Sequence, residues 1–67
     1  MSKITIEAVV IEALRGGKFR GEGEDHALIA YLSGKIRNNK IKIEVGDTVI
    51  VELSPYDLSN GRIIRRL

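Results

Sequence analysis

Cysteine is absent from the 67 residues, which excludes disulfides and thiolate metal sites. His26 is the one histidine, too few for a histidine metal centre by itself. Proline occurs once, and the aromatics are only Phe19, Tyr31 and Tyr56. No apolar run approaches the ~20 residues a membrane helix needs, and no signal-peptide pattern opens the chain. A second core does not fit in a chain this short. The expectation is one domain over residues 1–67, soluble and cytoplasmic. It buries only about 60% of its unfolded surface, so its core is thin.

Charge is plentiful but nearly balanced, with a net of +2. Its sign is sorted along the chain. Arg15, Lys18 and Arg20 form a basic cluster, and the acids Glu22, Glu24 and Asp25 follow. Lys35, Arg37, Lys40 and Lys42 come next without an intervening acid. Glu44, Asp47, Glu52 and Asp57 carry the negative charge after that, and Arg62, Arg65 and Arg66 close the chain. Such sorting fits a solvated surface. It also fits three basic segments that converge on one face and attract a polyanion despite the small total charge.

The apolar pattern has a period of two, which indicates strands. Lys3 to Leu14 reads as a long first strand with Ile4, Ile6, Ala8 and Val10 on one face. From Val9 to Ile11 the alternation is lost, which predicts a bend buried on both sides. Arg15-Gly16-Gly17-Lys18 is a turn, because paired glycines take positive φ cheaply. Lys18 to Gly23 is the second strand, weakened past Arg20 by Gly21 and Gly23 on one face. His26 to Leu32 is the third, with Leu28 and Ala30 on one face. Ser33 caps a short helix that begins at Gly34, is anchored by Ile36 and ends around Asn38-Asn39. Thr48 to Leu53 is the fourth strand, with Val49, Val51 and Leu53 inward. Ser54 to Asp57 is a turn, Asn60-Gly61 reads as a hairpin turn, and Arg62 to Leu67 is the fifth strand. The fold class expected is all-β: a five-stranded OB-fold barrel with one short helix between strands 3 and 4.

Catalytic chemistry finds little support. The acids show no pairing across a cleft. Glu22, Glu24 and Asp25 do not have the spacing of an EF-hand loop and read as a solvated turn. Gly21-Glu22-Gly23 lacks the lysine and helix of a phosphate loop. Ser33, Ser54 and Ser59 have no base placed by sequence, and His26 reads as a surface or strand residue. No enzyme and no cofactor are expected. The basic clusters are the informative signal, since an OB barrel gathers distant segments onto one binding face. General single-strand binders stack bases on aromatic platforms, and aromatics are scarce here. Phe19 and Tyr56 are expected in packing. The balance favours recognition of folded RNA by shape and phosphate contacts.

Several segments carry a resemblance. Leu32-Ser33-Gly34-Lys35-Ile36-Arg37, Ile41-Lys42-Ile43, Gly46-Asp47 and Val51-Glu52-Leu53 resemble the bacterial translation initiation factor 1 family. So does the run from Ser54 through Pro55, Tyr56 and Asp57 to Ile63. The likeness extends from about Ile6 to Arg65. It implies an S1-like OB barrel that is not an enzyme. It also implies binding at the A site of the small (30S) ribosomal subunit, against 16S ribosomal RNA and ribosomal protein S12. There such a factor supports initiation factors 2 and 3. The RNA-binding positions carried over are Arg20, Lys35, Arg37, Lys40, Lys42, Arg62 and Arg65. Lys42 stands where arginine is usual, and Tyr31 where many members have histidine. Gly21 and Gly23 replace large apolar residues of the family's second strand. A monomer without membrane contact is expected. Two other readings stay open: a general RNA chaperone of cold-shock type, and a barrel scaffold that binds protein through an incomplete edge.

Overall fold

The computed structural model of the protein describes residues 3–38 and 41–67. The elements are β1 (Ile4–Ala13), a 3-10 turn (Arg15–Gly17), β2 (Lys18–Glu22), β3 (Ala27–Leu32), α1 (Gly34–Asn38), β4 (Thr48–Ser54) and β5 (Asp57–Arg66). The strands close a barrel in the order β1-β2-β3-β5-β4. Neighbours are antiparallel except β3 and β5, which run parallel. This is the expected all-β barrel with its helix between the third and fourth strands. Closure removes the edges that an open sheet would expose.

Alternation decides which side chains enter the barrel. Ala8 and Val10 from β1, Leu28 and Ala30 from β3, Val49, Val51 and Leu53 from β4, and Ile63 from β5 form the core. Phe19 and Ile6 pack at its margin. The cap on α1 is as expected: the Ile36 amide donates to Ser33 Oγ at 3.2 Å. The Ser33 amide in turn donates to the Ile63 carbonyl at 3.1 Å, which ties the helix start to β5. Gly16 and Gly17 have φ of 73° and 74°, so the first turn needs both glycines. The expected helix end at Asn38-Asn39 falls partly on Asn39, outside the described residues.

Four expectations change. Val9 and Ile11 are not buried; they are 43% and 42% exposed on the outside of β1. The bend is present, since the β1–β2 register shifts between Val10 and Glu12. An extra residue there breaks the period of two without a second core behind it. Second, β2 is paired past Arg20 and ends at Glu22, one residue short of Gly23. Gly21 pairs with both Val10 and Leu28, and Glu22 with both Val9 and Ala27. Third, Asn60-Gly61 is no hairpin turn. The chain has already reversed at Pro55-Tyr56, with Ser54 opposite Asp57, and β5 continues through Asn60 and Gly61 after a register shift that leaves Leu58 to Asn60 without a partner on β4. Fourth, Tyr56 is 80% exposed at that turn instead of packed.

Gly21 is required neither by φ nor by close neighbours. A Cβ there would stand 3.5 Å from Ala8 Cβ and 3.6 Å from Leu28 Cδ1, ordinary contact distances. Its φ is not positive. Gly21→Ala should therefore stabilise the barrel by roughly 0.4–1 kcal/mol, chiefly by restricting the unfolded chain. Urea melts check this, and a loss of stability would mean that β1 and β2 cannot accept even a methyl group between them.

Candidate nucleic-acid interface

The barrel register aligns residues that are far apart in sequence. Lys18 on β2 lies opposite Tyr31 on β3, Tyr31 opposite Arg62 on β5, and Arg62 opposite Glu52 on β4. One outward row thus reads Lys18, Tyr31, Arg62, Glu52. Tyr31 stands in its middle, 48% exposed, with a cation on either side. The adjacent row reads Glu12, Arg20, Ile29, Asn60. The β2–β3 surface and the turns joining β1 to β2 and β4 to β5 are where OB barrels take oligonucleotides.

Arg37 reaches the same region from α1. Its guanidinium lies over the first turn, so close that a Cβ on Gly17 would stand 3.3 Å from Nη2. The helix cap, the two left-handed glycines and the β2 register together bring Arg37 beside Lys18. A second basic group forms where residues 41–44 pass the end of β5. There Arg66 Nη1 donates to the Lys42 carbonyl at 2.8 Å. A register shift between Ile50 and Val51 leaves Ile64 unpaired and sets Arg65 opposite outward-facing Ile50.

Of the residues singled out by sequence, Arg20, Arg37 and Arg62 come together on or beside the β2–β3–β5 surface. Lys42 and Arg65 belong to the second group, Lys35 is carried on α1, and Lys40 lies outside the described residues. Two of the arginines already have partners. Arg20 Nη1 contacts Glu12 Oε1 at 2.6 Å, and Arg62 pairs with Glu52. Such surface pairs contribute at most about 1 kcal/mol, so a phosphate can replace the carboxylate. Sequence reasoning missed Lys18 and Tyr31 as site residues. The signal was present, since both alternate outward on strands that were correctly phased, but their adjacency required the register.

The Glu52 carboxyl is held below the usual glutamate range. The Arg62 hydrogen bond is the main cause; partial desolvation opposes it, and the charges of Arg62 and Lys3 add to it. A depressed carboxyl stabilises the fold above its unfolded pKa, and that contribution is lost as pH falls through the folded value. Melting temperature should therefore drop more steeply below about pH 4.3 for the wild type than for Glu52→Gln. Parallel acid profiles for the two proteins would show that the pair contributes nothing to folding.

His26 Nε2 lies 2.7 Å from the Leu58 carbonyl, a tie between strand ends. Among the described residues no three metal-ligating side chains converge.

The family model for translation initiation factor 1A / IF-1 matches residues 2–67. The chain belongs to that family. Translation initiation factor IF-1 of Malacoplasma penetrans (strain HF-2) is 56% identical over 66 residues, covering 97% of this chain and 92% of that protein. The chloroplastic IF-1 of Oryza sativa subsp. indica is 52% identical over 67 residues. That match covers 98% of this chain and 63% of the rice protein, so the chain spans under two thirds of its chloroplastic relative. The solution structure of the translation initiation factor IF-1 from the Wolbachia endosymbiont of Brugia malayi superposes with a TM-score of 0.81 at 43% identity. The superposition covers 97% of this chain and 78% of that one. The same barrel recurs inside YjeQ from Thermotoga maritima, with a TM-score of 0.75, 26% identity and 23% of that chain covered. Members of the IF-1 family are non-enzymatic RNA-binding factors, in line with the sequence reading.

Proposed function

We propose that this chain acts in translation initiation by binding the A site of the small ribosomal subunit. The Lys18–Tyr31–Arg62 row, flanked by Arg20 and Arg37, faces 16S ribosomal RNA. Lys35, Lys40, Lys42 and Arg65 are further contacts to the RNA. Ribosomal protein S12 borders the bound factor, which occludes tRNA entry and supports initiation factors 2 and 3. The reading places the chain in the cytoplasm, without a cofactor, as a monomeric barrel of one domain. The observation that carries it is the convergence of three basic segments on one side of the barrel, within a chain of this family. Arginine and lysine there pair with phosphates, and arginine also stacks on bases.

Tyr31 and Tyr56 are both exposed, and this favours a second reading, an RNA chaperone that stacks on single strands. Titration of the labelled chain with purified small subunits and, separately, with an unstructured oligonucleotide distinguishes the two. Subunit binding at least tenfold tighter supports the initiation reading. Equal affinity supports the chaperone, and binding to neither sinks both.

A further inference from the structure

The apolar-on-both-faces stretch of β1 has an exposed outer side that the RNA reading leaves unused. Val9 and Ile11 project there, two residues apart, and line an open groove of about 850 Å³ together with residues of the β2–β3 turn. The floor is shaped by glycine. A Cβ on Gly23 would stand 3.1 Å from Ile6 Cδ1, so a larger residue would fill the space above Ile6. Glu7, Glu22, Glu24 and Asp25 form the rim, and among the described residues no lysine or arginine lines the groove. Among the described residues the nearest cations by register are Arg20, two residues before Glu22 on β2 and paired with Glu12, and Arg65, across Ile50 from Glu7.

The groove lies away from the basic row. β1 pairs with β2 and β4, which the row reaches only at its ends, Lys18 and Glu52, with Tyr31 and Arg62 on β3 and β5 between them. Along the β2–β3 hairpin, Lys18 and Tyr31 lie at one end and Glu22 and Ala27 at the other. Four residues of strand separate them by about 13 Å. The barrel therefore has a basic pole and an acidic one, with the Arg20–Glu12 pair between them.

We propose that this groove docks a basic, apolar-centred segment of a partner protein. Charge selects the occupant. Nucleic acid is repelled by four carboxylates and gains no phosphate contact. A second copy would have to insert its own basic side, joining copies head to tail in an open chain, and it would cover the row assigned to RNA. A partner segment with apolar side chains between lysines or arginines satisfies both features at once. Its apolar centre covers Val9 and Ile11, and its flanking cations meet the rim. The groove stays accessible while the opposite pole is occupied, so the barrel acts as an adaptor between RNA and protein.

The test uses a short peptide with a leucine–valine–leucine centre flanked by lysines, and a counterpart flanked by glutamates. Each is titrated into the isotope-labelled full chain and followed by amide shifts. The lysine peptide should shift Val9, Ile11 and the residues from Glu22 to Asp25 in a saturable way, and the glutamate peptide should not. Replacement of Glu22 and Glu24 by glutamine, which leaves the strands intact, should weaken that binding at least tenfold. Gly23→Leu should block it by filling the groove. The proposal is overturned if the lysine peptide leaves these amides unmoved or binds elsewhere, or if the glutamine variant binds it equally well. It is also overturned if dilution of the free chain alone moves the same amides, which would identify a second copy as the occupant.

Discussion

Gly61→Ala should destabilise the barrel sharply, although it adds a single methyl group. A Cβ at this position would stand 2.5 Å from Leu53 Cδ2, 2.6 Å from Val51 Cγ1 and 2.9 Å from the Glu52 carbonyl oxygen. Side-chain ends can move aside; the carbonyl belongs to β4 and cannot. Gly61 pairs with Leu53 on one side and Ala30 on the other, so β5 is clamped between two strands and has little room to shift outward. Overpacking of this kind typically costs about 1–3 kcal/mol. A domain of this size has about 5 kcal/mol in total. Each kcal/mol lost lowers the melting temperature by roughly 4–8 °C in a chain this short. Calorimetry or a circular-dichroism melt reads the outcome. Gly21→Ala is the control, because the same chemical change at another sheet glycine should raise stability. A Gly61→Ala melt equal to the wild type would show that β5 does not approach β4 so closely.

The same glycine shows where sequence reading stops. Asn60-Gly61 has the composition of a tight turn, but the turn was made earlier. The Ser54 hydroxyl accepts from the Tyr56 amide, and Asp57 accepts from the Ser59 amide, at 3.1 Å in each case. Glycine at 61 answers to two strands that local sequence cannot see. The phase of β4 was legible because Val49, Val51 and Leu53 alternate without interruption between clear turns. The cap on α1 was legible because its donor and acceptor are three residues apart. The exposure of Val9 and Ile11 was not, because apolar side chains on the outer phase of β1 look buried until the sheet shows that nothing covers them. For the candidate site, the sorted charge pointed to basic segments that could converge. Which cations meet was decided by strand register: Arg62 beside Tyr31 and Lys18, Arg65 in a different row. The partners Glu12 and Glu52 follow from the same register and could not be read from spacing.

Removal of Lys18, Arg37 and Arg62 together should weaken small-subunit binding by about a thousandfold. Hydrogen bonds to charged groups contribute roughly 1.5–3 kcal/mol each, and the lower figure corresponds to about tenfold per residue. The loss has a signature that misfolding cannot imitate. Each phosphate contact contributes about 0.7–0.9 to the slope of log affinity against log salt, so alanine at all three positions should flatten it by about two units or more. The three positions are not equivalent. Lys18 and Arg37 have no carboxylate partner among the described ion pairs, and their loss should leave the melting temperature almost unchanged. Arg62→Ala also strips Glu52 of its main hydrogen bond and leaves its carboxylate, with only the looser Lys3 pair, facing the RNA, so it should be the most damaging single change. Glu52→Gln in the Arg62→Ala background separates the two effects, since it removes the repulsion and should restore part of the affinity without restoring the slope. Tyr31→Ala should weaken binding while leaving the slope unaltered, because stacking releases no counterions. If the triple variant keeps the wild-type slope, the phosphates lie against another part of the barrel and the β2–β3–β5 row is not the RNA face.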